Sequence, residues 1–291
     1  MKIWPDCIPC ILKMSLGIAR VAMKDEGQVR RFMEEILKLN YFNGVGRNVT
    51  SPEVIKDVWL KVIEVSGEVD PLKEIKNEQN NRALAIYPIA KELVLKSQDP
   101  FLEAMKLAIA ANSIDAMTEV KGEVPEEIIK KWYRLEIDSE SLNCLKERFR
   151  KAQRVVYLGD NCGEIVFDRL LMEVLLEIYN LEITYITRTL PIMNDATLKE
   201  VLSVGIGKVA QILENGVQEP LPGTFLKRIS SESKTLIERS DLVISKGGGN
   251  YDSLTEEKEL RGKTSFLFLA KCYPYCHLHH VSLNAPVIYN F

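Results

Sequence analysis

Apolar positions recur at helical spacing through the first half of the chain. Cys10-Ile11-Leu12, Met14, Leu16, Ile18 and Val21-Ala22 mark a first amphipathic helix, and Val29 to Leu39 repeats the pattern through Phe32, Met33, Ile36 and Leu37. Ser51-Pro52-Glu53 predicts a third helix with Ser at the N-cap and Pro at the first helical position, its buried face carrying Val54, Val58, Trp59, Val62 and Ile63. Asp70-Pro71 and Asp99-Pro100 open two more in the same manner. Phe101 to Asp115 then carries Ala104, Leu107, Ala108, Ala110 and Ala111, small side chains suited to close helix packing. After Lys151 the period changes. Short β-rich runs at Arg154–Leu158, Glu182–Thr187, Val209–Leu213, Asp241–Ser245, Ser265–Leu269 and Val287–Tyr289 alternate with helical patterns.

That alternation predicts an α/β fold with a mainly parallel sheet and crossover helices, preceded by an all-helical lobe. The switch falls near residues 138–152, which divides the chain into a helical lobe, 1–150, and an α/β lobe, 151–291. Composition adds exclusions. A net charge of −3 gives no basic field for a general nucleic-acid binder. No apolar run approaches the roughly 20 residues needed to span a bilayer. Met1-Lys2-Ile3-Trp4-Pro5-Asp6 does not read as a signal peptide, so the expected address is the cytoplasm.

Candidate chemistry gathers at the ends of the predicted strands, where open α/β sheets bind their ligands. After the first come Asp160, Asn161 and Glu164; the second leads to Arg188 and then Asn194-Asp195. The fourth ends in Lys246-Gly247-Gly248-Gly249-Asn250, and the fifth runs into Lys271-Cys272. Asp160, Asn161 and Asp195 offer three hard oxygen ligands to one divalent cation such as Mg²⁺, Mn²⁺, Co²⁺ or Ni²⁺. The alternative for Asp160-Asn161 is a cap on the following helix. Arg188, Lys246 and Lys271 suit a phosphoryl group. The Gly247–Gly249 run is either an anion-binding nest or a flexible turn. Neither it nor Gly159-x-x-x-Gly163 matches a dinucleotide fingerprint, which argues against a nicotinamide cofactor.

The runs Gly159-Asp160-Asn161-Cys162-Gly163-Glu164-Ile165-Val166-Phe167-Asp168, Pro191-Ile192-Met193-Asn194-Asp195-Ala196-Thr197 and Ser245-Lys246-Gly247-Gly248-Gly249-Asn250-Tyr251 resemble the DUF89 family of damage-control phosphatases. Cys7-Ile8-Pro9-Cys10 and Lys271-Cys272 resemble the cysteine signature of its microbial branch. The resemblance covers essentially the whole chain. It implies a helical lobe beside a Rossmann-like α/β lobe and metal-dependent hydrolysis of phosphomonoesters of small metabolites, such as sugar phosphates, nucleotides or phosphopantetheine-like compounds. It implies metal ligation by Asp160, Asn161 and Asp195, substrate contacts from Gly248, Gly249, Asn250 and Lys271, and a position near the ligand for Glu164. Arg188 and Asn194, past the second strand, are further candidate substrate contacts. Cys162 stands where Ala is common in the family, and Gly248 where Gln is common. On this reading Asp160 or Asp195 orients the attacking water, direct attack by Asp160 being the lesser route, while Lys246 and Lys271 stabilise charge on the phosphoryl oxygens. Asn112 and Asp115, three apart and expected on one helix face, either reach the cleft or join helices by a polar contact.

Two further readings compete: an S-adenosylmethionine-dependent carboxyl methyltransferase, and a non-enzymatic metabolite or redox sensor. Cys7, Cys10, Cys272 and Cys276 form a possible second site, with three options open: a structural metal, a redox pair, or plain buried thiols. Cys144 and Cys162 read as structural.

Overall fold

The computed structural model describes residues 1–42, 48–115 and 123–291. Three helices open the chain: α1 (Cys7–Ala22), α2 (Glu26–Leu37) and α3 (Ser51–Ser66). Four follow: α4 (Lys73–Leu95), α5 (Pro100–Ala110), α6 (Pro125–Lys131) and α7 (Ser139–Lys151). Helix α3 begins one residue earlier than its Ser-Pro signal suggested. Thr50 is the N-cap, and its backbone N–H donates to Glu53 Oε2 at 2.9 Å in a capping box. Asp99 caps α5 as expected, accepting from the Leu102 N–H at 3.0 Å. Asp70 does not cap α4, because its carboxylate is drawn to the buried ammonium of Lys76 at 2.5 Å. Helix α5 stops at Ala110, short of Asp115.

The second half alternates: β1 (Arg154–Leu158), α8 (Glu164–Ile178), β2 (Glu182–Thr187), α9 (Leu198–Ser203) and β3 (Gln211–Glu214), then α10 (Ser231–Arg239), β4 (Leu242–Lys246) and α11 (Gly247–Leu254). The chain closes with β5 (Thr264–Leu269), α12 (Tyr273–His279) and β6 (Pro286–Asn290). All six predicted strands form, with β3 starting two residues later than Val209. They make one sheet in the order β3-β2-β1-β4-β5-β6, parallel throughout except for β6, which runs antiparallel to β5.

Side chains alternate across that sheet. Val155 and Tyr157 of β1, with Ile244 of β4, face a core shared with α4, α5, α7 and α8. Val156 and Leu158, with Val243, face the opposite core, which holds Ile237, Tyr251, Leu254 and Tyr275. A third cluster joins α1, α2 and α3 and takes in Ile192 and Met193 from the segment after β2. The change of element type falls at the expected place, but the core is divided elsewhere. Helices α4, α5 and α7 belong to the sheet, because α5 is apolar around most of its circumference and needs cover on several sides. No described helix is long and apolar enough to cross a membrane.

Leu171 sits fully buried on α8 between these helices and the sheet. Leu171→Ala is expected to lower the unfolding free energy by about 2–5 kcal/mol. Helix content and Trp132 fluorescence should lose cooperativity together in denaturant titration; an unchanged midpoint would contradict the shared core.

Candidate active site

Strand order reverses between β1 and β4, and the crevice at such a reversal is where doubly wound sheets place their ligands. The chain leaves β1 through Gly159, where a Cβ would lie 1.9 Å from Tyr185 Oη, so a side chain has no room. The next residues pair with the segment after β2. The Cys162 N–H donates to Asn194 O at 2.8 Å, the Ala196 N–H donates to Asp160 O at 2.9 Å, and Asn161 and Asp195 form an antiparallel bridge. Two stretches about 30 residues apart in sequence thereby bring Asp160, Asn161 and Asp195 to one wall. Helix α8 takes Gly163 as its N-cap, at φ 78° and with no side-chain cap bond, so Asp160-Asn161 is not a helix cap. Asn80 of α4 holds this turn from behind, accepting from the Gly163 N–H at 2.6 Å.

A cavity opens on the wall. Of the residues singled out in the sequence, Asp160, Asn161, Asp195, Asp115, Lys271, Gly248 and Gly249 line it, and so do Cys7, Cys10 and Cys272. The glycine run is not an open nest, because helix α11 starts at once. Gly247 has φ 76°, and a Cβ there would come within 1.8 Å of Asp160 Oδ2. Glycine at 247 lets α11 close against the carboxylate.

Six singled-out residues lie behind the wall rather than on it. Lys246 continues the face of Leu242 and Ile244 and points into the core beneath α5 and α8. Its ammonium donates to Glu164 Oε1 at 2.6 Å, Asp168 Oδ1 at 2.5 Å and Ala108 O at 2.9 Å, which uses its three protons. Direct contact of Lys246 with a phosphoryl group is therefore replaced by a buried ion cluster. Arg188 likewise turns inward, donating from Nε to Asp195 Oδ2 at 2.7 Å and from a terminal nitrogen to Asn250 Oδ1 at 3.3 Å. Asn250 donates to Lys246 O at 2.8 Å and Gly159 O at 3.1 Å, tying the two strand ends together. Asn194 donates to Ile114 O at 3.1 Å. Asn112 lies in a 3₁₀ turn after α5 and donates to Glu164 Oε2 at 3.1 Å and Asp160 Oδ2 at 3.3 Å. Asp115 follows that turn and pairs with Lys271, so the two do not share a helix face.

Electrostatics separate the two layers. Burial pushes Asp160 well above the usual carboxylate range, with Asp195 and Glu164 adding repulsion and Arg188 opposing them. Asp195 is raised by burial as well, against the pull of Arg188. Burial works against the charge of Lys246, but Asp168 and Glu164 overcome it and hold the ammonium above its usual value. Asp168 is raised to about 6 by burial, against Lys246. Among the described residues, ion pairs join Asp115 to Lys271, Glu164 and Asp168 to Lys246, and Asp160 and Asp195 to Arg188. Asp160 and Asp195 share the one guanidinium between them, and both line the cavity. Asn161 gives its amide protons to Asp160 Oδ2 (2.8 Å) and Glu164 Oε2 (3.1 Å), leaving its carbonyl oxygen as the donor atom it can offer. Two carboxylates and an amide oxygen fit a hard divalent cation in both charge and ligand type.

The chain's first residues and α12 meet at the cavity mouth, where Trp4 packs on His277 and Tyr273. Cys7, Cys10 and Cys272 share the cavity wall as free thiols, whereas Cys276 Sγ turns to Ala270 O at 3.6 Å. The four do not assemble into one site, and among the described residues no three His, Cys, Asp or Glu are arranged to hold a metal. Sequence reading missed Asp252, which lines the cavity four residues after Gly248. An i, i+4 count along the helix after the glycine run would have found it.

The family described as the damage-control phosphatase ARMT1-like domain matches residues 3–286. The chain belongs to this family. It is 31% identical over 278 residues to a damage-control phosphatase of Archaeoglobus fulgidus, covering 94% of each chain. It is 29% identical over 272 residues to a damage-control phosphatase of Pyrococcus horikoshii, covering 94% of this chain and 92% of that one. A crystal structure of a DUF89 family protein from P. horikoshii superposes with a TM-score of 0.85 and 28% identity over the whole of both chains. The family's helical and Rossmann-like organisation is thus the one seen here.

Two substitutions test the layering. Gly247→Ala sets a methyl group against Asp160 and strains a positive φ, and is expected to weaken divalent-cation binding at least tenfold by calorimetry while the fold persists. Lys246→Met strands two buried carboxylates and should cost about 3–5 kcal/mol of stability at neutral pH. That loss should shrink as the pH is lowered toward 5, because Asp168, already raised to about 6, then takes up a proton; a pH-independent loss would contradict the ion cluster.

Proposed function

We propose that this protein is a divalent-cation-dependent phosphatase acting on phosphomonoesters of small metabolites. The observation that carries this reading is the wall of Asp160, Asn161 and Asp195, which sets two carboxylates and an amide against a cavity that Lys271 also lines. The names of the family and its relatives support the reaction class. Asp160, Asn161 and Asp195 would hold Mg²⁺, Mn²⁺, Co²⁺ or Ni²⁺. When bound, such an ion neutralises and polarises the phosphoryl group.

The protein's own residues supply the rest. Lys271, the one lysine lining the cavity among the described residues, is held by Asn112 O at 2.9 Å and by Asp115, which aims its ammonium at a phosphoryl oxygen. Arg188 fixes one oxygen of Asp195, and Asn112 steadies Asp160, so neither carboxylate must reorganise as charge develops. Asp160 or Asp195 orients the attacking water. Ile11, Ile55 and Met193 give the cavity an apolar lining, which limits water around the reacting group.

Metal-stripped protein is expected to hydrolyse p-nitrophenyl phosphate only after one of the four cations is added back. Asp160→Asn and Asp195→Asn should each lower kcat/KM by 100-fold or more, and cation affinity should fall as the pH drops, because Asp160 must release its proton to bind. Equal turnover in a chelator and in Mn²⁺ would defeat the metal assignment, and no turnover under any condition would defeat the phosphatase reading itself.

A further inference from the structure

Hydrolysis of an alkyl phosphate must deliver a proton to the departing oxygen, and the groups assigned so far do not supply it. Asp160 and Asp195 are ionised when they serve as ligands. The Lys271 ammonium, held by Asp115 and Asn112 O, is already assigned to a phosphoryl oxygen. No histidine lines the cavity among the described residues: His279 contacts Tyr251 Oη at 3.0 Å, and His277 stacks on Tyr273 and Trp4.

Asp252 remains. It lies one turn beyond Gly248 on the cavity face of α11, and its side chain is almost wholly buried in that wall. From α12, Tyr275 donates its hydroxyl to Asp252 Oδ1 at 3.1 Å, and from α3, Ser51 adds a second hydrogen bond. The charged group that faces it is the Met1 ammonium, which is also engaged by Glu256 Oε1 at 3.3 Å and Thr255 Oγ1 at 2.9 Å. The Cys272 thiol and the Tyr251 phenol are the remaining titratable neighbours, and among the described residues no lysine or arginine pairs with Asp252. A carboxyl so placed is buried and oriented, and the one ammonium it faces is shared with Glu256, so burial prevails and favours the neutral acid.

We propose that Asp252 is the general acid of this site, protonating the leaving oxygen of unactivated phosphomonoesters. The assignment rests on the phosphatase reading above. The bond from phosphorus to the leaving oxygen breaks, its electron pair stays on that oxygen, and the Asp252 carboxyl proton completes the alcohol. Water oxygen forms the new bond to phosphorus, and the proton it releases returns through solvent to the Asp252 carboxylate. The products are the alcohol and inorganic phosphate. Burial raises Asp252 to about 7, against the Met1 ammonium and the Tyr275 hydroxyl, so the acid form is populated near neutrality.

The test compares two esters in Mn²⁺-loaded protein. Asp252→Asn is expected to lower kcat on glycerol phosphate by about 100-fold or more. On p-nitrophenyl phosphate, whose leaving group departs without a proton, kcat should fall less than about fivefold on the same physical ground. Asp252→Glu, which keeps an acid, should recover much of the alkyl-ester activity. In the wild type, glycerol phosphate turnover should decline as the pH rises through the Asp252 pKa. Tyr275→Phe, which removes a donor to the charged form, should move that decline to higher pH. Equal losses on both esters, or undiminished glycerol phosphate turnover in Asp252→Asn, would overturn the assignment while leaving the phosphatase reading intact. Wild-type protein that hydrolyses neither ester would overturn both.

Discussion

A lysine ammonium with no exposure to water sits between two equally buried carboxylates at the end of β4, and the rest of the site is built outward from it. Removing ions from water costs several kcal/mol apiece, which close geometry and complete hydrogen bonding must offset. Lys246 meets that demand by binding Glu164 and Asp168 of α8 and the carbonyl of Ala108 in α5 at once. Strand, crossover helix and α5 can therefore shift only together. Glu164 passes the constraint on, because its other contacts are the amide groups of Asn112 and Asn161, and both of these reach Asp160. The position of the front carboxylate is thus set by a cation that never meets the cavity.

This arrangement sorts charge by depth. Groups behind the wall are paired: Lys246 with two acids, and Arg188 with Asp195. Asp160 and Asp195 stand at the wall with one guanidinium between them. Burial and the neighbouring carboxylates outweigh Arg188 at Asp160 and hold its carboxyl above the usual range. On the proposed reading, a cation bound there relieves that repulsion instead of displacing an internal partner. Preorganisation is bought in the second layer and spent in the first.

Much of the fold was legible because side-chain period carries it. The six strands, and the change from helical to alternating chain near residue 152, followed from apolar spacing alone. Asp160, Asn161 and Asp195 were legible as hydrophilic residues just past strand ends. The orientation of Lys246 was not, because strand parity gives a face only once the cover on each face is known. Here the same-side neighbours Leu242 and Ile244 lie against α5 and α8. Arg188 was misread for a related reason: a cation at a strand end can serve a ligand or hold the residue that serves it, and only its 2.7 Å bond to Asp195 decides. Sequence also could not assign α4, α5 and α7 to the sheet's core, because one amphipathic pattern suits any apolar partner. Nor could it foresee that Lys76, buried with Asp70, would take away that residue's capping role.

The glycine run shows how contacts distant in sequence determine local composition. Gly247 is required by Asp160, which comes from the end of β1. Gly248 stands where glutamine is common in the family, and a Cβ there would lie 2.6 Å from the hydroxyl of Tyr275 on α12. In this chain Tyr275 fills space that a longer residue at 248 would claim, and its hydroxyl bonds to Asp252 one turn further on. Tyr275 of α12 thereby bonds to Asp252 of α11 and joins the two helices at the cavity wall. Because α12 follows Cys272 directly and packs its exposed face on Trp4, the chain's first residues are coupled to the same edge of the cavity.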